Sequence, residues 1–385
     1  MKSIKFLSLI CFYSIFIFSC ATFNISATDN NVLVDARDGL KFESIVKNTK
    51  KSVVLLSSNP NEDPASNPTQ TAMCSGVVVD DIGHVLTNFH CIYKQNYIKL
   101  FYYDESDWDS YDVDVIGTDP LADLALLKVK DKEEPIPHLK FADDAAEIEA
   151  GSEVYAMGHP MGMAWTITKG IISSNERYAR HPFIKSLQTD AAINKGNSGG
   201  PLLNMKGEII GINALIISRI SESAGVGLAI RGDVVKKSFE SMLEHGKVDR
   251  PAVGIMIMGL TNFGAREKMI KEFPDQKPEF IPNTFGLVVR PSTEKDKEIP
   301  EGLKPFDTIV GVNDVMTNNG LQFTDEIGKH NVGDTITLTV IRKRVFLKTD
   351  VTLKVFPVPT DSMYGQAKPP LPPLPKEKEE KTPPK

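Results

Sequence analysis

Gly196-Asn197-Ser198-Gly199-Gly200-Pro201 is the stretch on which the reading of this chain turns. A serine hydroxyl is a poor nucleophile near neutral pH. A hydrolase must give it a base and must stabilise the oxyanion that its attack creates. Glycines around the serine allow a tight turn that aims successive backbone N–H groups at one point. Those donors are expected from Gly196 and Ser198, with Asn197 between them in the same candidate oxyanion hole. Taken alone, the stretch would also suit an ordinary glycine-rich turn.

Upstream residues supply the missing partners. Thr87-Asn88-Phe89-His90-Cys91 follows a short apolar run, and Asp119-Pro120-Leu121-Ala122-Asp123-Leu124-Ala125-Leu126-Leu127-Lys128 lies between it and the serine. The order His90, Asp123, Ser198 is that of the chymotrypsin-like barrel enzymes. In that arrangement His90 takes the proton of Ser198 and later delivers it to the leaving amine. Asp123 fixes the imidazole tautomer and stabilises the imidazolium. His84, His138 and His159 are read as strand or turn residues. No set of His, Cys and acidic residues has zinc-ligand spacing, so neither a metal nor another cofactor is expected.

The surrounding pattern is that of many short strands. Val53–Leu56, Gly76–Val79, His84–Leu86, Leu124–Leu127 and Glu208–Ile212 are brief apolar runs, most with Gly, Pro, Asn or Asp close by. Such punctuation predicts a β-barrel or sandwich. Apolar positions at Val234, Val235, Phe239, Met242 and Leu243 predict an amphipathic helix over 233–246. A second region opens at Pro251, with alternation in Thr335–Val340. The segment 358–385, rich in Pro, Lys and Glu, cannot bury enough apolar surface to offset its ordering entropy and is expected to be disordered. The chain has 385 residues, which suggests two domains and a small extra. A formal charge of -6 argues against a nucleic-acid binder. Four cysteines are too few for a disulfide-dense scaffold.

These blocks resemble the HtrA/Deg serine proteases, in which trypsin-like barrels precede PDZ domains. The resemblance covers residues 42 to 357. The histidine block T-N-x-H-V is matched by Thr87 to Cys91, and D-x-A-x-L-K by Asp123 to Lys128. Gln188 to Pro201 matches the serine block nearly throughout, with Lys195 where proline is usual. Ala156 to Gly162, where His159 replaces a common asparagine, and Gly225 to Ile230 match further landmarks. The resemblance implies a mainly β fold: a chymotrypsin-like double β-barrel over 42–246, then an α+β PDZ domain over 247–357. It implies an ATP-independent serine endopeptidase that cleaves misfolded envelope proteins, acts on unfolded protein or peptide substrates, and assembles as a homotrimer. Ala192, Ile193, Gly211, Ile212 and Asn213 are expected to shape a pocket for small or medium aliphatic residues. Val253-Gly254-Ile255 fits the PDZ loop that holds a peptide C-terminal carboxylate, and Leu321 to Gly328 the helix beside its groove. Phe306 replaces a glycine in G-L-K-P-G-D, a change expected to distort that turn. The alternatives are a processing protease with one dedicated substrate and a non-enzymatic PDZ adaptor or holdase.

Cys74 and Cys91 stand where chymotrypsin-like enzymes often carry a disulfide, although the common HtrA form has valine after the histidine. A Cys74–Cys91 disulfide is therefore expected, with two buried thiols as the alternative. Lys2 and Lys5 before the apolar run Phe6–Phe18 read as a secretory signal over 1–27, with 28–41 as an N-terminal segment. Ile25-Ser26-Ala27 offers a cleavage site. Ile17-Phe18-Ser19-Cys20 resembles a lipobox, and if it is read, Cys20 becomes a lipid anchor. Either route exports the protein to the periplasm or cell envelope, where disulfides persist.

Overall fold

The computed structural model describes residues 42–58, 74–103, 108–132, 135–143, 145, 147–159, 165–178, 181–214, 225–260, 263–273, 281, 285–291 and 299–358. The predicted signal with Cys20, the 28–41 segment and all but the first residue of the 358–385 tail lie outside these residues.

Two closed six-stranded barrels come first. The first is β1 (Val53–Ser57), β2 (Cys74–Val78), β3 (His84–Thr87), β4 (Lys99–Tyr103), β5 (Trp108–Asp119) and β6 (Leu124–Val129), closing in the order β1-β2-β3-β6-β5-β4. Val54, Leu56, Val78, Val85, Leu100 and Leu127 fill its core. The second is β7 (Glu153–Gly158), β8 (Thr166–Arg177), β9 (Ser186–Thr189), β10 (Pro201–Asn204), β11 (Ile209–Ala214) and β12 (Gly227–Arg231). Val154, Ala156, Ile172, Leu202, Ile210 and Ala229 form its core. The five short runs read as strands all fall on strands, displaced by no more than two residues at either end. The runs are largely apolar because these strands are buried along most of their length; β1, β2 and β3 are buried at every position.

The histidine block begins at a strand end. β3 stops at Thr87, and His90 rides on a one-turn helix, α1 (Phe89–Ile92). Helix α2 (Gly232–His245) follows barrel two and ends on Gly246 in the left-handed conformation. It lies against the first barrel: Met242, almost fully buried, sits over Gly117 of β5, and Thr118 N–H donates to the Gly246 carbonyl at 3.1 Å.

The C-terminal module is a sheet flanked by a helix, in the PDZ arrangement. β13 (Pro251–Ala252) pairs with β20 (Lys354–Val355). β14 (Ile257–Gly259), β15 (Leu287–Val289), β16 (Thr308–Val312), β18 (Thr335–Arg342) and β19 (Val345–Thr352) form the main sheet in that order, and β17 (Val315–Met316) pairs with β16. Along β18, Ile336, Leu338 and Val340 point inward at period two. α3 (Phe263–Glu272) and α4 (Gly320–Ile327) complete it, and Asn319 caps α4 by accepting from Leu321 and Gln322 N–H. Phe306, expected to distort its turn, itself takes the left-handed conformation at φ 66°. Its ring meets Phe273 edge-on at 6.2 Å. Packing therefore holds a conformation that glycine would adopt more readily.

The α2 contact generates a test. A Cβ on Gly117 would lie 2.5 Å from Met242 Cβ and 2.9 Å from its carbonyl. Gly117→Ala is therefore expected to lower stability by about 1–3 kcal/mol through overpacking. Chemical denaturation of the variant checks this.

Candidate active site

β5 ends at Asp119, β6 starts at Leu124, and the turn between them presents Asp123 at φ 60°. Aspartate tolerates this left-handed conformation better than most residues. The Asp123 carbonyl accepts from Phe89 N–H at 3.1 Å and from Asn88 Nδ2 at 2.9 Å, which fixes the turn to the start of α1. The carboxylate is fully buried and both its oxygens face His90. Oδ1 accepts the His90 backbone N–H at 2.9 Å and Oδ2 lies 2.8 Å from Nδ1. A carboxylate only accepts, so Nδ1 carries the proton and Nε2 is the basic nitrogen.

Ser198 sits on the second barrel, just before β10. Lys195 and Gly196 are the central residues of a turn closed by Asn197 N–H donating to the Asn194 carbonyl at 3.0 Å. Gly196 has φ 105°, the positive angle that a type II turn requires at its third position. Among the described residues, the N–H groups of Gly196 and Ser198 have no backbone acceptor. They match the expected pair of donors. Asn197 does not join them, because its N–H closes the turn. Ser198 Oγ makes no hydrogen bond to His90 Nε2 among the described residues; the recorded neighbour of Nε2 is Cys74 Sγ at 4.0 Å. Nucleophile–base contacts of this kind are often long outside the Michaelis complex.

Ser75 is the residue that sequence reasoning passed over. Its backbone N–H donates to the Ser198 carbonyl at 2.8 Å, and its hydroxyl donates to the Gly196 carbonyl at 2.8 Å. Its carbonyl accepts from Thr87 Oγ1 at 2.8 Å. Its hydroxyl in turn accepts the His159 N–H at 2.9 Å. One residue of β2 thus grips the nucleophile's turn from the other barrel. Its neighbour Cys74 is joined to Cys91, with 6.0 Å between Cα atoms and a separation of 17 residues. Cys74, Cys91 and His90 bring their ligand atoms within 4.8 Å of one another, but the disulfide removes both thiolates from any metal-binding role.

The expected specificity residues divide. Ile193 is nearly buried, faces Gly227, and would lie 2.9 Å from a Cβ there. Ala192 carries a carbonyl that accepts from Thr168 Oγ1 at 2.9 Å. Gly211 and Ile212 are interior to β11, paired with β10 and β12, and a Cβ at Gly211 would meet the Ile230 carbonyl at 2.7 Å. Both are therefore part of the barrel wall beside β10. Asn213 braces the nucleophile's turn: Gly199 N–H donates to its carbonyl, its N–H donates to Gly200, and its amide donates to Pro201. Asp190, exposed just after β9, accepts Ile171 N–H on Oδ1 at 2.7 Å. In the C-terminal module, Val253, Gly254 and Ile255 line a cavity of about 620 Å³ together with Phe323, Thr324 and Ile327 of α4.

His159 is completely buried, with Nε2 3.1 Å from the Val53 carbonyl. Burial of the ring moves its pKa from 6.5 down to about 4, against a smaller opposing pull from that carbonyl. The unfolded chain therefore binds a proton there that the native chain refuses. The stability from this residue is full above about pH 6.5 and falls as pH drops toward 4. His159→Asn is expected to lessen the loss between about pH 7 and about pH 4.5, by an amount on the order of 2 kcal/mol. Urea unfolding at both pH values reads it. For the disulfide, denatured unreduced mature protein is expected to show no free thiol. The Cys74→Ala/Cys91→Ala variant is expected to lose about 3 kcal/mol of stability, with thiol counting and denaturant midpoints as the readouts.

Comparison with known proteins agrees with this geometry. A family model described as trypsin-like peptidase domain matches residues 74–212. The chloroplastic protease Do-like 1 of Arabidopsis thaliana is 33% identical over 299 residues, covering 75% of this chain and 64% of that protein. The periplasmic serine endoprotease DegP of Escherichia coli strain K12 is 33% identical over 274 residues, covering 70% of this chain and 54% of DegP. The chain thus spans between about half and two thirds of the length of these relatives. Among solved structures, the HtrA-type protease AlgW with a decapeptide is similar at TM-score 0.67 and 27% identity, covering 83% of this chain and 99% of AlgW. A serine endoprotease from Yersinia pestis is similar at TM-score 0.61 and 25% identity, covering 82% and 98%. With its paired barrels, its His90–Asp123 pair and its glycine-rich serine turn, this chain belongs to the HtrA/DegP family of trypsin-like serine proteases.

Proposed function

We propose that this chain is an exported serine endopeptidase that cleaves unfolded or damaged proteins of the cell envelope. The observation that carries the reading is the Asp123–His90 pair beside a serine turn whose Gly196 has φ 105°. Asp123 holds Nδ1 protonated, so Nε2 is left to take the Ser198 proton as Oγ attacks the scissile carbonyl. The N–H groups of Gly196 and Ser198 then receive the negative charge that develops on the carbonyl oxygen. His90 passes its proton to the leaving amine, and a water, deprotonated by the same nitrogen, releases the acyl group from Ser198. No ATP and no metal takes part.

In this reading residues 42–246 form the catalytic domain and 247–357 a PDZ domain. The cavity lined by Val253, Gly254 and Ile255 takes the apolar C-terminus of a substrate or signal peptide. Export is supported by the N-terminal signal and by the periplasmic naming of relatives such as DegP. A homotrimer assembled through the catalytic domains is the assembly that the family resemblance suggests.

The test uses mature protein. A fluorophosphonate probe is expected to label wild type and to leave Ser198→Ala unlabelled. Casein cleavage by Ser198→Ala is expected to fall by several orders of magnitude with the fold unchanged. Cleavage retained by the pure variant would sink the assignment.

A further inference from the structure

Arg250 lies between α2 and β13, at the entrance to the C-terminal module, yet its side chain reaches the first barrel. Its guanidinium forms a two-pronged contact with Asp119: Nη1 to Oδ1 and Nη2 to Oδ2, both at 2.6 Å. The Asp119 side chain is 1% exposed and that of Arg250 13%. Such a fork is the geometry guanidinium offers a carboxylate and an ammonium does not. Asp119 has two further partners. Ser238 Oγ of α2 donates to Oδ2 at 2.7 Å, and Ala122 N–H donates to Oδ1 at 3.1 Å.

The second of these contacts bears on catalysis. Ala122 immediately precedes Asp123, and Asp123 N–H donates to the Pro120 carbonyl at 3.3 Å. Asp119 therefore closes the five-residue turn that delivers Asp123 at φ 60° with both oxygens on His90. A left-handed non-glycine residue persists where its surroundings over-determine it. A buried carboxylate without its partner is costly, and the backbone around it relaxes to reach water or another donor. The turn under Asp123 is thus held in place by a cation from outside the barrel.

That cation is tied to the C-terminal module. Phe356 N–H donates to the Arg250 carbonyl at 2.7 Å, and the next residues pair as β13 with β20. The Phe356 ring packs on Phe183 at 5.5 Å and on His181 at 4.7 Å, and all three line the 620 Å³ cavity.

We propose that Arg250 is a positioning residue for catalysis: supplied from the entrance of the C-terminal module, it completes the Asp119 turn that aims Asp123 at His90. The proposal rests on the serine-endopeptidase reading. It makes the barrels alone an incomplete catalytic unit, because the chain must continue through β13 to place the arginine.

The experiment uses the full mature chain with a fluorogenic peptide, and circular dichroism shows that each variant is folded at the assay temperature. Arg250→Ala is expected to lower kcat about ten- to hundredfold, as small misplacements of catalytic groups do, with KM within about twofold. Arg250→Lys is expected to recover only part of the loss, since it restores charge without the fork. In protein labelled at histidine nitrogen, the downfield His90 Nδ1 proton signal is expected to shift or broaden in Arg250→Ala. A folded Arg250→Ala with wild-type kcat and an unmoved signal would overturn the proposal. So would a rise in KM alone, which would place Arg250 in substrate binding. If Arg250→Ala does not fold, Arg250→Lys decides by the same two readings. Wild-type protein that fluorophosphonate does not label would overturn the endopeptidase reading itself, and this inference with it, before any variant is compared.

Discussion

The pair of hydrogen bonds from Ser75 to the Ser198 and Gly196 carbonyls is the contact on which the site depends. The base stands on one barrel and the nucleophile on the other, so catalytic geometry is a matter of how the barrels dock. Ser75 belongs to β2, which pairs with β3, and β3 leads into the helix that carries His90. A distance across the barrel interface is thereby converted into a short, hydrogen-bonded path from Ser198 through Ser75 to the His90 segment. Because Ser75 takes the Gly196 carbonyl, it also helps keep the turn in the form that leaves the Gly196 N–H outward.

The glycines of the serine block follow from the same docking. A Cβ at Gly199 would lie 2.2 Å from the Ser75 carbonyl and 2.3 Å from Thr87 Oγ1. Backbone cannot give way there, so the barrels could not close on any larger residue. The buried polar groups around it are used in a connected set. Thr87 donates to Ser75, His159 N–H donates to Ser75, and Asn213 bonds on both sides of Gly199 and Gly200. Each is nearly or fully buried, and a buried donor left without its acceptor costs more than a made bond returns. These bonds tie the nucleophile's turn to both barrels although it is a loop.

What could be read from sequence divides along physical lines. The strands, α2, the His90–Asp123–Ser198 order and the Gly196 turn were legible because each depends on local residue type and spacing. Strands such as β1 that are buried along their whole length leave apolar runs that are easily seen, whereas β5 and β8, with exposed positions along them, do not. Ser75 and the Arg250–Asp119 contact were not legible. Their partners lie 121 and 131 residues away, and neither a serine before a glycine nor an arginine before a proline marks that partner. Gly211, Ile212 and Asn213 were expected to shape the pocket together with Ala192 and Ile193. Their backbone partners, β10 and β12 on either side of β11 and Gly199 and Gly200 beside Asn213, lie too far along the chain to be read from sequence.

The disulfide has to be judged against this network. Cys91 follows His90 and Cys74 precedes Ser75, so the bridge joins β2 to the segment after β3, which strand pairing and the Thr87 Oγ1 bond to the Ser75 carbonyl already hold. His90 is oriented by two contacts to Asp123, and neither passes through sulfur. In the chain-entropy account, a cross-link acts mainly by restricting the unfolded chain, and its effect grows with the loop it closes. The bridge therefore adds little to the aim of the imidazole and much to the resistance of the first barrel to opening. A barrel that opens loses Ser75, and with it the hold on Ser198 in the other barrel. Stability of the first barrel and competence of the second are in this way one property, and the covalent link sits at the point where they meet.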